Sequence, residues 1–213
     1  MGKTIFWAVD CQRDFMLPTG KLYVKGAEEI IPNLDKLTNY AKNKGLTVVN
    51  TADWHSKSSK ELSDKPDFKT TFPPHCMIGE EGSDFINETY PKTLKRGCYI
   101  LNYSDATINT DSFLFGKVKD IIILKDAFDV FEGNILAHDM VEFLNPDEII
   151  VYGVATNVCV DKAVRGLAIR GFNVKVVVDA IKELPDIELD SIFNLWSFMG
   201  VDFITTEDIL QRK

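Results

Sequence analysis

The sequence predicts an α/β protein: a three-layer, Rossmann-like, doubly wound sheet of about six mostly parallel strands, with helices on both faces. Apolar, β-rich runs recur along the chain, and each is followed by polar residues and then by a stretch with helical spacing. That alternation is typical of parallel sheets covered on both faces. The 213 residues, 45% of them hydrophobic, suffice for one sizeable core, so we expect residues 1–213 to form a single domain.

The strands and helices of this pattern can be placed in order. After the first strand, residues 27–44 carry Ile30, Leu34 and Leu37 at helical spacing, and Gly45 ends the predicted helix. A second amphipathic helix is predicted over residues 160–170, again with a glycine behind it. The six predicted strands are Thr4 to Val9, Leu46 to Thr51, Asp120 to Leu124, Glu148 to Tyr152, Asn173 to Val178 and Asp202 to Thr205.

Residues 55–92 interrupt the alternation. This segment contains four prolines, many charges and little periodicity. A stretch of this length without regular structure inside a compact domain is usually functional or disordered. The sequence shows no internal repeat, no low-complexity tract and no linker that would divide the chain.

Composition and charge exclude several classes of partner. The formal net charge of -8 provides no positive field for nucleic acid or for an anionic membrane surface. No stretch approaches the roughly 18 to 20 apolar residues of a membrane span. Without a leader-like N-terminus or a C-x-x-C pair among the four cysteines, we expect a cytoplasmic protein with free thiols. A small-molecule partner is expected, and a homo-oligomer remains open.

Chemically active residues follow four of the predicted strands. In open parallel sheets, ligands bind beyond the carboxyl ends of the strands, so the residues directly after each strand are informative. Asp10, Asp53, Lys125 and Cys159 occupy such positions. We therefore expect two acids, one lysine and one thiol to converge at a single edge of the sheet.

The spacing favours Cys159 as a nucleophile, with Lys125 and Asp10 as its partners. Cys159 follows a strand and a tight turn and precedes a predicted helix, whose N-terminus would stabilise a thiolate. A nearby ammonium from Lys125 would lower the pKa of the thiol further. Asp10 is the candidate base that accepts the thiol proton and later delivers it to a departing amine.

A second constellation combines acidic and imidazole side chains. Asp53 and His55 form a D-x-H pair at the end of the second predicted strand, and alternate residues of an extended segment point to the same side. His75, in the long irregular segment, would complete a set of three ligands around one metal ion.

Five short motifs, in order along almost the whole chain, give this sequence a family resemblance. The motifs are Asp10-Cys11-Gln12-Arg13-Asp14-Phe15, Asp53-Trp54-His55, Pro73-Pro74-His75-Cys76, Lys125 after a strand, and Gly153-Val154-Ala155-Thr156-Asn157-Val158-Cys159-Val160. With these residues the chain resembles the isochorismatase-like superfamily of cysteine hydrolases, and within it most the nicotinamidases.

The resemblance implies a catalytic triad of Asp10, Lys125 and Cys159. It also implies an oxyanion hole formed by the backbone N–H groups of Ala155 and Cys159, with a non-proline cis peptide between Val154 and Ala155. The expected activity is that of a cysteine amidohydrolase, which deamidates nicotinamide to nicotinate and ammonia through a thioester, a step of NAD salvage.

The resemblance further implies one divalent metal ion, which is zinc, iron or manganese, held by Asp53, His55 and His75. The aromatic residues that stack on the substrate ring in the family correspond to Phe15 and Phe72.

Two departures from the family pattern concern the metal and the substrate. Many nicotinamidases have one more metal-binding histidine six residues after the first, where this chain has Glu61; Asp64 is a second candidate for the fourth ligand. A carboxylate there makes the site harder and favours manganese or iron. Residues 126–133 also lack the Ser-Tyr-Ser-rich loop of many bacterial nicotinamidases.

Three alternative functions remain open at the level of sequence. A related amidase or carbamoyl hydrolase would keep the triad but have a differently shaped pocket. An isochorismate hydrolase would cleave a vinyl ether and would not need the metal set. A non-catalytic binding descendant of the fold is disfavoured because all three residues of the triad are present.

Overall fold

A computed structural model describes residues 3–91, 97–116, 118–185 and 189–212. Its centre is a seven-stranded sheet in the order β3-β4-β2-β1-β5-β6-β7, and all neighbouring strands pair in parallel. The strands are β1 (Thr4–Val9), β2 (Thr47–Asp53), β3 (Cys98–Leu101), β4 (Asp120–Lys125), β5 (Glu148–Val154), β6 (Val174–Lys182) and β7 (Asp202–Ile204).

Helices cover both faces of this sheet. The α-helices are α1 (Arg13–Met16), α2 (Ile31–Asn43), α3 (Val130–Gly133), α4 (Ala137–Leu144), α5 (Asp161–Ile169), α6 (Leu189–Phe198) and α7 (Thr206–Leu210). α2 and α7 lie on one face, and α3, α4, α5 and α6 lie on the other. Tighter 3₁₀ turns span Ala27–Ile30, Glu81–Ser83 and Thr110–Gly116, and one π-turn spans Thr156–Val160.

The central strand β1 shows how the sequence builds two cores. Because side chains alternate along a strand, Ile5 and Trp7 pack with the α4 and α5 side of the sheet, whereas Phe6 and Ala8 pack with α2. All four side chains are buried, so the strand reads as a continuous apolar run, as expected for a parallel strand covered on both faces.

The predicted fold class is confirmed, but the strand count is seven instead of about six. The additional strand, β3, has only four residues, lies at the edge of the sheet and exposes 47% of Ile100. A short edge strand gives only a weak alternation of apolar and polar residues, which is why the sequence pattern did not predict β3. β2 and β4 also run further than predicted, so that Asp53 and Lys125 are their last residues.

The long irregular segment has little regular structure in the part that the structure describes, which ends at residue 91. Isolated bridges pair His55 with Met77 and Leu62 with Phe72, and these hold the segment across the carboxyl ends of β2 and β4. Among the described residues, no helix is both long and apolar enough to cross a membrane.

Candidate active site

A narrow pocket lies at the carboxyl edge of the central strands. Its lining includes Cys159 together with Asp53, Glu61 and His75. Its remaining walls are apolar. They are formed by Phe15, Leu22, Val24, Phe72, Phe128, Val154, Ala155, Val158 and Leu184.

Strand register brings Lys125 between two carboxylates. Asp53 and Lys125 are directly paired residues of β2 and β4, so their side chains leave the same face of the sheet side by side. The Lys125 Nζ hydrogen-bonds to Asp53 Oδ1 and lies 3.0 Å from Asp10 Oδ2. All three side chains are essentially buried, so each charge is neutralised by its neighbours and not by water.

Asp10 is fixed by a second contact. Its backbone has a left-handed conformation (φ 46°) directly after β1, which turns the side chain toward the carboxyl edge. The Thr51 hydroxyl donates a 2.5 Å hydrogen bond to Asp10 Oδ1, and the Cys159 Sγ lies within 4.8 Å of an Asp10 carboxylate oxygen. Asp10 therefore lies within reach of the thiol proton.

Cys159 lies in the π-turn that joins β5 to α5, and its Sγ is 3.9 Å from Lys125 Nζ. The structure thus brings the predicted triad together.

The expectation of a lowered pKa for the Cys159 thiol is wrong, however. Burial raises the pKa of Cys159 well above its ordinary value; Lys125 lowers it, but the carboxylates of Asp10 and Asp53 raise it again. The resting thiol is protonated near neutral pH.

The two carboxylates that flank Lys125 differ in basicity. Burial raises the pKa of Asp10 and outweighs the opposing effect of Lys125. Burial also acts to raise the pKa of Asp53, but Lys125, His55 and His75 hold it well below its ordinary value. The pKa of the Lys125 ammonium itself is raised well above its usual range: burial opposes this, but both carboxylates favour the charged form. Asp53 is a permanent anion, while Asp10 can exchange a proton.

The turn before Cys159 approaches β1 closely. Gly153 pairs with Val9 in the parallel ladder and has φ 121°, and a Cβ at this position would stand 2.1 Å from the Val9 carbonyl oxygen. The next peptide, Val154–Ala155, is cis, as the resemblance implied. Ala155 and Cys159, the two residues expected to form an oxyanion hole, both line the pocket.

Four side chains converge beside the triad: Asp53, His55, Glu61 and His75. One ligand atom from each lies within 4.8 Å of all the others, and all four side chains are buried. His75 Nε2 is 3.4 Å from Asp53 Oδ2, and His55 Nε2 is 3.4 Å from Glu61 Oε1. Two histidines and two carboxylates at these separations match the donor sets of divalent zinc, iron and manganese.

Hydrogen bonds outside the cluster turn its donor atoms inward. His55 Nδ1 lies 3.0 Å from Asp126 Oδ1, and His75 Nδ1 donates to the Pro73 carbonyl over 2.8 Å. In both rings Nε2 is thereby left facing the other ligands. Glu61 is held in the same way, because its Oε2 accepts the backbone N–H of Phe128 at 2.7 Å and its Oε1 points into the cluster.

The residues present fit a divalent ion. His55 Nε2 is fully buried without a hydrogen-bond partner, which is unfavourable unless a cation or proton occupies the cluster. Burial acts to lower the pKa of His55, but the carboxylates of Asp53 and Glu61 raise it to about 10. The cluster thus attracts positive charge. Of the two candidates for a fourth ligand, Glu61 lies in the cluster, whereas Asp64 is exposed and outside it.

A second group of potential ligands, Asp10, Asp53 and Cys159, lies beside the first. Here the Lys125 ammonium already occupies the position of a cation, since it contacts both carboxylates and the sulfur. This group is therefore an ion-pair network and not a metal site.

Sequence reasoning missed several residues of the site. Thr51 was placed in a strand without a role, yet it hydrogen-bonds Asp10; Asp126 and Phe128 were noted only as parts of an unusual loop. Asp126 and Phe128 follow Lys125 at the carboxyl end of β4, and this position was a signal that could have identified them. Leu22, Val24 and Leu184 line the pocket from irregular segments whose sequence carries no such signal.

Comparisons with known proteins found a family model and several relatives. The family model of the isochorismatase domain matches residues 114–208. The nicotinamidase of Saccharomyces cerevisiae is 25% identical over 202 residues, covering 84% of this chain and 87% of its own. Over residues 114–208 the chain is similar to the isochorismatase domain. It is also similar to the nicotinamidase/pyrazinamidase of Mycobacterium tuberculosis, with 27% identity over 181 residues, 80% of this chain and 82% of the relative.

Solved structures of isochorismatase-like proteins share the fold. A pyrazinamidase/nicotinamidase from Streptococcus mutans superimposes with a TM-score of 0.73 at 21% identity, covering 95% of this chain and 100% of the other. A pyrazinamidase of Pyrococcus horikoshii, solved in complex with zinc, gives a TM-score of 0.71 at 23% identity and covers 95% of this chain and 99% of its own. The relatives and the family model together support an amidase-type hydrolase, most like nicotinamidase.

Proposed function

We propose that this protein is a metal-dependent cysteine amidohydrolase that converts nicotinamide to nicotinate and ammonia, a step of NAD salvage. The observation that carries the proposal is the arrangement of the pocket. A thiol with a base beside it, three of the four clustered metal ligands, and apolar and aromatic side chains all meet at one pocket. A flat heteroaromatic amide has a carboxamide that suits the thiol and a ring nitrogen that suits the metal ligands.

The first half of the reaction forms a thioester. As the Cys159 sulfur attacks the carboxamide carbon, Asp10 accepts the thiol proton, for which its raised pKa suits it. The backbone N–H groups of Ala155 and Cys159 receive the negative charge on the carbonyl oxygen. The C–N bond then breaks, and Asp10 returns the proton to the departing nitrogen, so that ammonia leaves.

The second half of the reaction releases the acid. Asp10, again a carboxylate, takes a proton from water as the water oxygen attacks the thioester carbon, and the C–S bond breaks. The proton held by Asp10 returns to the sulfur. Lys125 remains an ammonium throughout, because Asp10 and Asp53 raise its pKa, and it stabilises the negative charge wherever it lies among its neighbours.

Asp53, His55, Glu61 and His75 would hold the divalent ion. When bound, that ion supplies a Lewis-acidic position for a ring nitrogen, directly or through water. Phe15 and Phe72 provide the ring contacts; their rings already flank His75, with centroid separations of 5.3 and 6.2 Å. Fixing the amide against Cys159 in this way lowers the entropic part of the barrier by several kcal/mol.

A screen of small amides for ammonia release tests the proposal. Nicotinamide and pyrazinamide, which carry a ring nitrogen for the metal, should be hydrolysed well, and benzamide, which lacks that nitrogen, should be a much poorer substrate. Equal rates for benzamide and nicotinamide would contradict the role given to the metal cluster. Preference for an aliphatic carbamoyl compound would favour the carbamoyl hydrolase alternative.

A further inference from the structure

Two side chains of the segment after β1 have no part in the proposed reaction, although they are buried and polar. They are Gln12, with no exposed surface, and Asp14, with 3%. Neither residue belongs to the metal cluster or lines the pocket. Burying an amide and a carboxylate is costly unless every hydrogen bond is satisfied, so their contacts indicate what they do.

Gln12 holds the backbone of Asp53 from both sides. Its Nε2 donates to the Asp53 carbonyl oxygen at 2.8 Å, and its Oε1 accepts the Asp53 N–H at 2.8 Å. Nε2 also donates to the carbonyl of Ser83 at 2.8 Å. A side chain that pairs with both backbone groups of one residue fixes the position and the direction of that residue at the end of β2.

Asp14 holds the segment that carries His75. Its Oδ2 accepts the backbone N–H of Cys76 at 2.7 Å, and its Oδ1 accepts the N–H of Lys21 at 2.9 Å. The backbone of Gly82 packs directly on this carboxylate, since a Cβ there would lie 2.2 Å from Asp14 Oδ2. The neighbour of His75 is thus tied to the same short segment that holds Asp53.

We propose that Gln12 and Asp14 are positioning residues that set the separation between Asp53 and His75, and thereby the metal affinity. Asp53 ends β2, and His75 lies in the irregular segment. The side chains of Gln12 and Asp14 connect both of these regions to the short helix α1 and the residue before it. They touch neither ion nor substrate. This inference rests on the proposed metal site, and it extends that site to residues that act through the backbone of its ligands.

The test measures metal affinity without any substrate. Gln12→Glu keeps an acceptor for the Asp53 N–H but sets an oxygen against two carbonyls, and Asp14→Asn leaves a single acceptor for two N–H groups. Each variant should weaken Mn²⁺ binding, measured by calorimetric titration of the metal-free protein, by about 10- to 100-fold. At saturating Mn²⁺, turnover should recover most of its parental value, which a general loss of folding would not allow.

Arg13→Gln is the matched control, because Arg13 lies between the two residues and its half-exposed side chain forms an ion pair with the exposed Glu81. It should leave the dissociation constant for Mn²⁺ unchanged. The proposal is overturned if both folded variants bind Mn²⁺ as the parent does, or if both fail to fold. If the parental protein binds Mn²⁺ but does not hydrolyse nicotinamide, only the proposed substrate is refuted. The Mn²⁺ affinities of the two variants would still decide whether Gln12 and Asp14 are positioning residues.

Discussion

Asp10 and Asp53 show how one residue type acquires two functions. Both are buried carboxylates in contact with the same ammonium, yet the pKa of Asp10 is raised by burial while that of Asp53 is held low by Lys125 and the two histidines. Environments that separate the pKa values of neighbouring acids assign them different tasks. In the proposed mechanism Asp10 moves protons, and Asp53 supplies constant negative charge.

This difference predicts the acid limb of the pH profile. Asp10 must be unprotonated to accept the thiol proton, so activity is lost as the pH falls through its pKa. Because that pKa is raised from its ordinary value near 4, the acid limb of kcat/KM should lie at a higher pH than a normal aspartate would give. Rates at saturating metal concentration between pH 4 and pH 8 would measure it. A profile that stays flat down to pH 4 would contradict the assignment of Asp10.

Replacing the thiol tests the nucleophile itself. Cys159→Ala should lower kcat by about 10⁴-fold or more, because no other group near the carbonyl carbon can form the acyl intermediate. The fold should persist, since only one sulfur atom at a pocket wall is removed. Cys98→Ala is the control, as Cys98 lies on edge strand β3 and does not line the pocket. Circular dichroism checks the fold of both variants, and ammonia release measures their activity. An active Cys159→Ala variant would contradict the mechanism.

At the residue scale, what sequence reasoning could find depended on where each residue lies. Asp10, Asp53 and Lys125 were placed together because parallel strands end at a common edge. The fourth metal ligand could not be chosen between Glu61 and Asp64, because both lie in an irregular segment whose path is fixed by tertiary contacts. The hydrogen bond from the Phe128 backbone to Glu61 is one such contact, and no local pattern encodes it.

Among the elements, the junction between β5 and the π-turn tolerates added side-chain atoms poorly. Gly153 brings the backbone of β5 against that of Val9, and the turn that carries Cys159 begins directly after it. Any side chain at residue 153 must push the two strands apart, just where β1 ends at Asp10. The position of the Cys159 thiol relative to Asp10 therefore depends on the absence of a side chain at Gly153.

Gly153→Ala should destabilise the protein by about 3 kcal/mol or more, because it combines an unfavourable φ with a collision against the backbone. Gly171→Ala is a matched control: Gly171 also has a positive φ, of 83°, but open space surrounds its Cβ position. Conformational strain alone should cost that variant about 1 to 2 kcal/mol. Urea unfolding of both variants measures the difference, and equal losses would mean that the close approach to Val9 carries no energetic weight.

The elements that sequence analysis placed best were those with a strong period. β1 was predicted with its observed bounds, because six apolar or β-branched residues stand between polar neighbours. The helix predicted over residues 27–44 divides into a 3₁₀ turn, Ala27–Ile30, and α2, since Pro32 favours the first turn of an α-helix and the chain tightens before it. Such divisions depend on local geometry that hydrophobic spacing does not encode.

At the scale of the whole molecule, metal binding and folding stability should be linked. A ligand that binds only the native state stabilises it, by about 2.7 kcal/mol at a concentration 100 times its dissociation constant. For a chain of this length, chelation should therefore lower Tm by about 5 to 10 °C without unfolding the protein at room temperature. Calorimetry before and after chelation, and again after addition of Mn²⁺, measures the shift. A chelator-insensitive Tm and rate would argue for a metal-free amidase.

The two oxygens of Asp53 have separate partners: Oδ1 contacts the Lys125 ammonium, and Oδ2 faces the imidazoles of His55 and His75. One side chain thus belongs to both halves of the site, and a substitution there cannot report on either half alone. For engineering, the metal preference is better altered at Glu61, whose carboxylate is held by the Phe128 backbone N–H and faces His55. Double-mutant cycles between Lys125 and His75 should show energetic coupling through Asp53, even though the two side chains do not need to touch.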